Sequence, residues 1–393
     1  MSLSDNKKIP YGRQDINQED IDKVVEILRS DFVTQGPVVP AFESAVAKYC
    51  GAKHAVAVNS ATSALHIACL AMGVGPGDLV WTSPISFVAS SNCALYCGAS
   101  VDFVDIDPRT YNMSAEFLAD KLAEAKKTDK LPKVVIPVHM SGQSCDMTAI
   151  YELSLQYGFN IIEDASHAIG GRYKNEPIGN GHYSAMSVFS FHPVKMITSG
   201  EGGMVVTNDS KLLKKLRIFR SHGITSNSED MYPRASEQIW NYQQIELGFN
   251  YRMTDIQAAL GLSQLKRLNE FVTKRQNIAK RYNQLLMGLP VITPWQHEDS
   301  YSSYHLYLIQ LNFKDKNAHH RVYNALREDG VLVNLHYIPI YRQPYYEQFG
   351  FKEGYCPEAE EYYKRVISLP IYTRLLDEEQ DQVVESIQKV LYS

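Results

Sequence analysis

Length, composition and charge place this chain among ordinary globular proteins. Its 393 residues are enough for about two or three domains, and 45% hydrophobic with 21% charged residues allow a sizeable buried core. The net charge of −5, without a long basic run, argues against nucleic acid and anionic membranes as partners.

Cysteine usage and the chain start predict a cytoplasmic location. The six cysteines show no Cys-x-x-Cys or zinc spacing, and most lie in apolar runs where a free thiol acts as a small hydrophobic group. The first residues lack the apolar core of a signal peptide. No stretch approaches the roughly 18 uninterrupted apolar residues of a membrane span.

The first half of the chain alternates between helical and strand patterns. Residues 1–14 are polar and predict an N-terminal arm, and apolar spacing predicts helices at 15–29 and 40–49 around a loop at 31–37. Short apolar strands are then predicted at 55–58, 79–82, 101–105, 134–139, 160–163, 185–191 and 204–207, with helices at 64–72, 88–97, 115–125 and 147–157. This alternation predicts a mostly parallel sheet with helices on both faces.

The pattern changes after about residue 210 and becomes mainly helical. Residues 254–286 predict one or two long helices. Beyond Pro290, strands at 306–311 and 331–333 and helices at 318–329 and 377–392 predict a small α+β domain. We therefore expect a large domain over 15–265 and a small C-terminal domain over 266–393.

One lysine, Lys195, lies between two apolar runs that end before Pro193 and begin at Met204. Lysine is rarely interior without a function, and an amine held there loses hydration, so its pKa falls. That property suits Schiff-base chemistry with a carbonyl group. The alternative is a surface lysine on a loop between strands, and this position alone does not decide between the two.

Further candidates follow other predicted strands, where parallel sheets bind ligands. The stretch 59–64 is rich in small and hydroxyl side chains, which indicates either a phosphate site at a helix start or a simple helix cap. Asp164 either caps the next helix or faces a pyridine nitrogen, which a carboxylate keeps protonated. His139 and His192 are as compatible with loop roles as with catalysis, and the twelve histidines form no evident metal triad.

Together, a phosphate cradle, an aromatic side chain at Phe87, the carboxylate and the lysine predict a pyridoxal 5′-phosphate site. Motifs along nearly the whole chain also resemble those of the DegT/DnrJ/EryC1/StrS sugar aminotransferases. The motifs are Thr34–Pro37, Ala57–Leu65, Gly73–Asp78, Glu163–Ala168, Ser190–Lys195, Glu201–Gly203, Asn250–Arg252 and His336–Pro339.

The resemblance implies an α/β fold of aminotransferase fold type I, with a mostly parallel central sheet and a smaller C-terminal α+β domain. It also implies a homodimer with shared active sites. Lys195 would bind the cofactor covalently and shuttle a proton, Asp164 would hold the pyridine nitrogen, and Phe87 would stack on the ring. His167 would contact the phenolic oxygen of the cofactor, at a position where many relatives carry glutamine.

The resemblance also implies contacts to phosphate and substrate. The implied phosphate ligands are Ala61, Thr62, Ser190 and, from the partner subunit, Asn250. The implied substrate contacts are Tyr11, Asp31, Phe32, Val33, Thr34, Arg252, His336, Tyr337, Ile338 and Pro339.

The activity implied by the resemblance is transfer of an amino group from L-glutamate to a UDP-linked keto sugar. Dehydrating members of the family carry histidine in place of the lysine, so Lys195 favours transamination. Two alternatives are a different nucleotide-linked keto sugar as substrate and a non-catalytic regulatory protein that binds the same cofactor.

Overall fold

The computed structural model describes residues 8–233, 240–312 and 318–392. Residues 1–7, which belong to the predicted N-terminal arm, lie outside the described residues. The strands are β1 Ile9–Pro10, β2 His54–Val58, β3 Leu79–Thr82, β4 Ser100–Phe103, β5 Val134–Ile136, β6 Asn160–Asp164, β7 Arg172–Tyr173, β8 Glu176–Pro177, β9 Met186–Ser190, β10 Gly203–Thr207, β11 Ile224–Thr225, β12 Gln243–Gln244, β13 Val291–Ile292, β14 Ser300–Tyr301, β15 Tyr307–Leu311, β16 Val331–Leu332 and β17 Val366–Leu369. The helices are α1 Gln18–Leu28, α2 Val38–Cys50, α3 Ala61–Ala71, α4 Ala89–Tyr96, α5 Ala115–Lys127, α6 Met147–Tyr157, α7 Ser210–Arg220, α8 Asp255–Leu265, α9 Leu268–Leu285, α10 Ala318–Glu328, α11 Pro344–Glu347, α12 Pro357–Tyr363 and α13 Asp377–Tyr392.

A seven-stranded sheet forms the centre of the larger part, in the order β2-β10-β9-β6-β5-β3-β4. Strand β10 is antiparallel to both neighbours, and the other six strands run parallel to one another. The mostly parallel sheet predicted from the sequence is confirmed.

Both faces of this sheet are covered, as the unbroken apolar strands predict. In β2, Val56 and Val58 enter one core, which α3 and α4 cover, while Ala55 and Ala57 enter another, beneath α2 and α8. A further core joins α5 and α6 to β3, β5 and β6. The sheet edge that carries the strand ends is thereby fixed from both sides.

Some predicted boundaries differ from those in the structure for local reasons. Helix α2 begins at Val38 rather than residue 40. Pro40 therefore lies in the first turn, where it is tolerated because the N–H that it lacks would have no intrahelical partner. Strand β5 ends at Ile136 rather than residue 139, because Pro137 has no N–H for the ladder. Helix α3 begins at Ala61, three residues before the predicted start, because Ser60 caps it.

The smaller part contains the antiparallel sheet β13-β15-β17 with α10 and α13 packed together beside it. Helix α9 connects the two parts. Its residues Phe271 and Val272 belong to the core beneath α2, while Ile278 and Tyr282 belong to the core of the smaller part. No helix in the described part of the chain is long and apolar enough to cross a membrane.

Candidate active site

Strand register brings the candidate residues to one edge of the sheet. Gly203, the first residue of β10, pairs with Ser190 on one side and with Val58 on the other. A Cβ atom on Gly203 would lie 2.5 Å from the carbonyl group of Ser60 and 2.6 Å from the backbone nitrogen of Ala61. Glycine is therefore required here for β10 to lie against the first turn of α3.

The start of α3 presents backbone N–H groups beside Ser190. The Ser60 side chain accepts the N–H of Ser63 at 3.1 Å, and the Ser63 hydroxyl donates to Asn59 Oδ1 at 2.7 Å. The N–H groups of Ala61 and Thr62 lie in the first turn, where a helix offers no internal acceptor. These two amides and the positive end of the helix dipole suit a phosphate group.

Asp164, the last residue of β6, is 5% exposed and held from two sides. Its Oδ2 accepts a hydrogen bond from Ser90 Oγ at 2.6 Å, and its Oδ1 accepts the N–H of Ser166 at 3.1 Å. Ser90 in turn lies 2.6 Å from the Ser86 hydroxyl. A carboxylate positioned this way can face a ring nitrogen without reorienting.

Lys195 follows β9 in the loop that leads to Gly203. The backbone N–H of Lys195 donates to the backbone carbonyl of His192 at 2.9 Å, and the Lys195 side chain is partly buried. Burial lowers the pKa of the amine to about 8, although the nearby Asp164 carboxylate acts in the opposite direction. A larger fraction of neutral amine is thus present near neutral pH than for an exposed lysine.

His167 is buried, and its hydrogen bonds define its tautomer. Its Nδ1 accepts the N–H of Ser141 at 3.3 Å, and its Nε2 lies 3.3 Å from the Tyr337 hydroxyl. Because Nδ1 is an acceptor, the neutral ring carries its proton on Nε2. Burial and the nearby Lys195 amine hold the pKa of His167 well below its usual range, so the ring is neutral.

These residues fit a pyridoxal 5′-phosphate group. The site offers uncompensated helix amides, a fixed buried carboxylate, an amine of lowered pKa and a neutral imidazole with an available proton. Phe87, 60% exposed at the end of the segment before α4, has a ring face that is free to cover an aromatic ligand.

Comparison with known proteins identifies the family of this chain. Residues 14–388 match the DegT/DnrJ/EryC1/StrS aminotransferase family. The chain belongs to that family. Its members are pyridoxal-phosphate-dependent aminotransferases, so the chain is an enzyme of this kind.

Named relatives of the chain differ in their described roles. The spore coat polysaccharide biosynthesis protein SpsC of Bacillus subtilis is 40% identical over 98% of both chains. The UDP-4-amino-4,6-dideoxy-N-acetyl-beta-L-altrosamine transaminase of Campylobacter jejuni is 36% identical over 93% of both. The solved structure of Helicobacter pylori PseC, an aminotransferase involved in pseudaminic acid biosynthesis, superposes with a TM-score of 0.90, at 32% identity over 98% of this chain and 100% of that one.

Two further histidines surround the site of this family member. The ring centre of His305, a residue not identified from the sequence, lies 4.4 Å from that of His167. The backbone N–H of His305 donates to the Ser141 carbonyl at 2.8 Å. Within the described residues, its buried Nδ1 has no hydrogen-bond partner. His336 lies 2.7 Å from the Ser368 hydroxyl through Nδ1, and burial lowers its pKa to about 3. The site is thus lined by neutral imidazoles.

The segment 336–340 lies against the strand ends. The Ile340 N–H donates to the Pro84 carbonyl at 2.9 Å, which holds this segment beside residues 83–87. The Tyr11 ring centre lies 5.3 Å from that of His336. Ile338 is 41% exposed, while Pro339 is buried. Tyr11, His336 and Tyr337 are therefore brought together with His167.

The remaining expected site residues form a second group around the start of α8. Thr34 bridges to Thr254, and the Asp255 N–H donates to the Val33 carbonyl at 3.0 Å. Arg252 bridges to Val58 at the end of β2. The members of this group with exposed side chains are Asp31, Phe32, Val33, Thr34 and Asn250.

The two undecided histidines lie in different surroundings. His139 is buried, and its Nε2 lies 2.7 Å from a carboxylate oxygen of Glu163 while its Nδ1 accepts the Cys145 N–H at 3.1 Å. His192 is exposed, 4.0 Å from Glu201. Among residues 8–233, 240–312 and 318–392, no cluster of three potential ligands could hold a metal ion.

Proposed function

We propose that this enzyme transfers the amino group of L-glutamate to C4 of a UDP-linked 4-keto-6-deoxy-N-acetylhexosamine. The product would be UDP-4-amino-4,6-dideoxy-N-acetyl-β-L-altrosamine, an intermediate of pseudaminic acid biosynthesis. The observation that carries the transamination is the Lys195 amine, whose pKa burial lowers to about 8 beside the fixed Asp164 carboxylate. Similarity to the Campylobacter transaminase and to PseC supports the choice of sugar.

The chain's own residues would hold the cofactor at four points. Lys195 would bind its aldehyde carbon, and Asp164 would bind its ring nitrogen. The amides of Ala61 and Thr62, with the Ser190 hydroxyl, would bind its phosphate. When bound, the cofactor supplies an electron sink for the carbon that carries the amino group.

Lys195 is suited to both proton transfers of the reaction. Its amine would take the proton from Cα of glutamate and, in the second half of the reaction, deliver a proton to C4 of the sugar. A pKa of about 8 lies close enough to neutral pH for both the acid and the base form to be populated. Burial holds the pKa of His167 and of His336 low, so neither ring adds a competing positive charge.

We further propose that two copies of the chain share their active sites. Asn250 and the loop 31–34 would reach the site of the partner subunit, since their side chains are exposed on their own subunit. Large apolar side chains that shortly precede Asn250 in the sequence are also exposed, including Trp240 at 71%, Tyr242 at 64% and Leu247 at 73%. Such a surface suits association with a second copy.

A second candidate keeps the reaction and changes the substrate. SpsC, at 40% identity, is named for spore coat polysaccharide biosynthesis rather than for pseudaminic acid, so a different nucleotide-linked keto sugar is the second candidate. Product analysis separates the two candidates. The enzyme is incubated with glutamate and a panel of UDP- and dTDP-linked keto sugars, and products are identified by mass spectrometry and NMR. Amination of the UDP-linked 4-keto-6-deoxy-N-acetylhexosamine at C4 supports the proposal, and preference for another sugar supports the second candidate.

The cofactor assignment has its own test. Borohydride reduction of the purified enzyme should fix the cofactor on one peptide, the one that contains Lys195. A label on another lysine, such as Lys174, would contradict the assignment. The reduced Lys195→Arg protein serves as the control, because its guanidinium keeps a positive charge but forms no such bond.

A further inference from the structure

A buried carboxylate, that of Asp255 in the first turn of α8, holds the loop that precedes α2. Its Oδ2 accepts the backbone N–H of Gly36 at 2.8 Å. Its Oδ1 accepts the backbone N–H groups of Val38 at 2.8 Å and of Val39 at 3.2 Å. Asp255 is 0% exposed, so these three hydrogen bonds form away from water and are stronger than they would be at the surface.

This carboxylate supplies the cap that helix α2 cannot supply itself. The residue before the first turn of α2 is Pro37, whose side chain has no oxygen to accept a hydrogen bond. The first N–H groups of a helix have no partner within the helix, and a negative charge is favourable at that end. Asp255 therefore fixes the start of α2 from a different helix, 217 residues after Val38 in the chain.

The loop before α2 is shaped so that it can approach the carboxylate. Gln35 adopts a left-handed backbone conformation, with φ of 56°, which turns the chain before the helix. A Cβ atom on Gly36 would lie 2.5 Å from the Cβ atom of Phe32 and 3.2 Å from Oδ1 of Asp255. Glycine at position 36 therefore allows the loop to fold back on itself against Asp255.

The same turn of α8 also contacts the loop that carries Lys195. The Gln257 Nε2 donates to the backbone carbonyl of Glu201 at 2.8 Å, in the segment between Lys195 and Gly203. The Thr254 Oγ1 caps α8 by accepting the backbone N–H of Gln257 at 3.2 Å. One helical turn thus fixes the positions of both loops.

We propose that Asp255 is a positioning residue for recognition of the keto sugar. It acts through residues 31–34, the expected substrate contacts, which it places where they reach the site of the partner subunit. Phe32 and Val33 are 55% and 45% exposed on their own subunit, so their side chains are available for that contact. Asp255 has this role only if the enzyme aminates a nucleotide-linked keto sugar in shared sites, so the inference rests on the proposed function.

The test measures the two half-reactions of the holoenzyme separately. Conversion of the bound cofactor by glutamate is followed by absorbance. Product formation is measured with the keto sugar that the wild type aminates, so a wrong choice of sugar in the proposed function does not affect the comparison. In Asp255→Asn one oxygen still accepts, but the charge is lost and the amide NH2 group cannot accept the other hydrogen bonds. We expect KM for the sugar to rise roughly tenfold, with kcat and the glutamate half-reaction close to wild type.

Asp209→Asn is the matched control for this substitution. The Asp209 Oδ1 also caps a helix, accepting the Lys211 N–H at 2.6 Å, but α7 carries none of the expected substrate contacts. We expect the control to keep the wild-type KM for the sugar. A merely structural role of Asp255 would slow both half-reactions together. That result, an unchanged sugar KM in Asp255→Asn, or an equal rise in the control would overturn the proposal.

A heterodimer tests which site the loop serves. It is prepared from Lys195→Ala and Asp255→Asn subunits with different affinity tags, so that both homodimers are removed. Its one site with a native Lys195 receives residues 31–34 from the subunit with a native Asp255, so KM for the sugar should return to the wild-type value. A KM that stays raised would overturn the action of Asp255 on the partner's site.

Discussion

Two adjacent carboxylates on β6, Glu163 and Asp164, have different surroundings because of their positions on the strand. Successive side chains of a strand point to opposite faces of the sheet. The Glu163 carboxylate accepts hydrogen bonds from His139, Ser184 and Ser187, which are all buried or partly buried. Asp164 accepts from Ser90 and from a backbone N–H, and it faces the edge that carries Lys195.

Asp164→Asn should retain the fold but have a much lower kcat. The amide oxygen of the asparagine can still accept one hydrogen bond, and the Ser90 hydroxyl can rotate to accept a hydrogen bond from the amide NH2 group. Without the negative charge the ring nitrogen is not kept protonated, so we expect kcat to fall roughly a hundredfold or more. Stopped-flow rates and circular dichroism give the measurement. Glu163→Gln is the matched control, with lowered thermal stability and a smaller change in rate. Near-normal kcat in Asp164→Asn would show that another group protonates the ring.

His167 should tolerate glutamine better than an apolar residue. Glutamine offers an acceptor for the Ser141 N–H and a donor in place of Nε2, whereas leucine offers neither. Loss of one such hydrogen bond is worth about 1–3 kcal/mol, so His167→Leu should lose roughly tenfold to a hundredfold in rate. NMR of protein labelled with ¹⁵N-histidine should find the proton of His167 on Nε2. A proton on Nδ1 would contradict the hydrogen-bond pattern.

At the scale of elements, the strands and helices that could be predicted are those marked by a pattern in adjacent residues. The strands β2, β6, β9 and β10 and the lysine loop follow from apolar runs and from Pro193, and each lies within a few residues of its predicted position. Strand β17 was not identified, because its four residues follow the helical segment α12 without a turn signal. Ser90 and His305 could not be identified as site residues, because a contact to Asp164 or His167 depends on tertiary packing rather than on spacing.

Gly203 connects two elements, and Gly203→Ala should disturb the phosphate end of the site. The added methyl group would lie about 2.5 Å from the Ser60 backbone, so either β10 or the first turn of α3 has to move. We expect weaker retention of the cofactor, measured by dialysis and absorbance, and a lower melting temperature. Gly75→Ala is the control, because nothing lies within 4 Å of its added methyl group. Unchanged cofactor retention in Gly203→Ala would mean that the close approach is not needed for phosphate binding.

At the scale of the whole molecule, the neutral histidines predict sensitivity to acid. Burial lowers the pKa of His336 from 6.5 to about 3, so between these values the unfolded chain binds a proton that the folded chain does not. The free energy of unfolding should therefore fall as the pH drops below about 6.5, by about 1.4 kcal/mol per unit for this histidine. The free energy of unfolding is measured with denaturant at each pH for the wild type and for His336→Asn, and the difference between the two proteins should show this slope. The exposed His320→Asn provides the control, and equal curves for the two variants would contradict the prediction.

The exposed group around Asn250 leads to a prediction about assembly. Each proposed site uses Lys195 from one subunit and Asn250 from the partner subunit. Lys195→Ala and Asn250→Ala should each be impaired, but a heterodimer of the two has one site with both native residues and one with neither. After subunit exchange, each heterodimer should regain about half the activity of a wild-type dimer, because site and interface are linked. A mixture of Lys195→Ala with Asp164→Asn is the matched control. Both residues come from the same subunit there, so neither site is complete and no activity should return. Recovery in the control alone, or in neither mixture after confirmed exchange, would place Asn250 outside the partner's site.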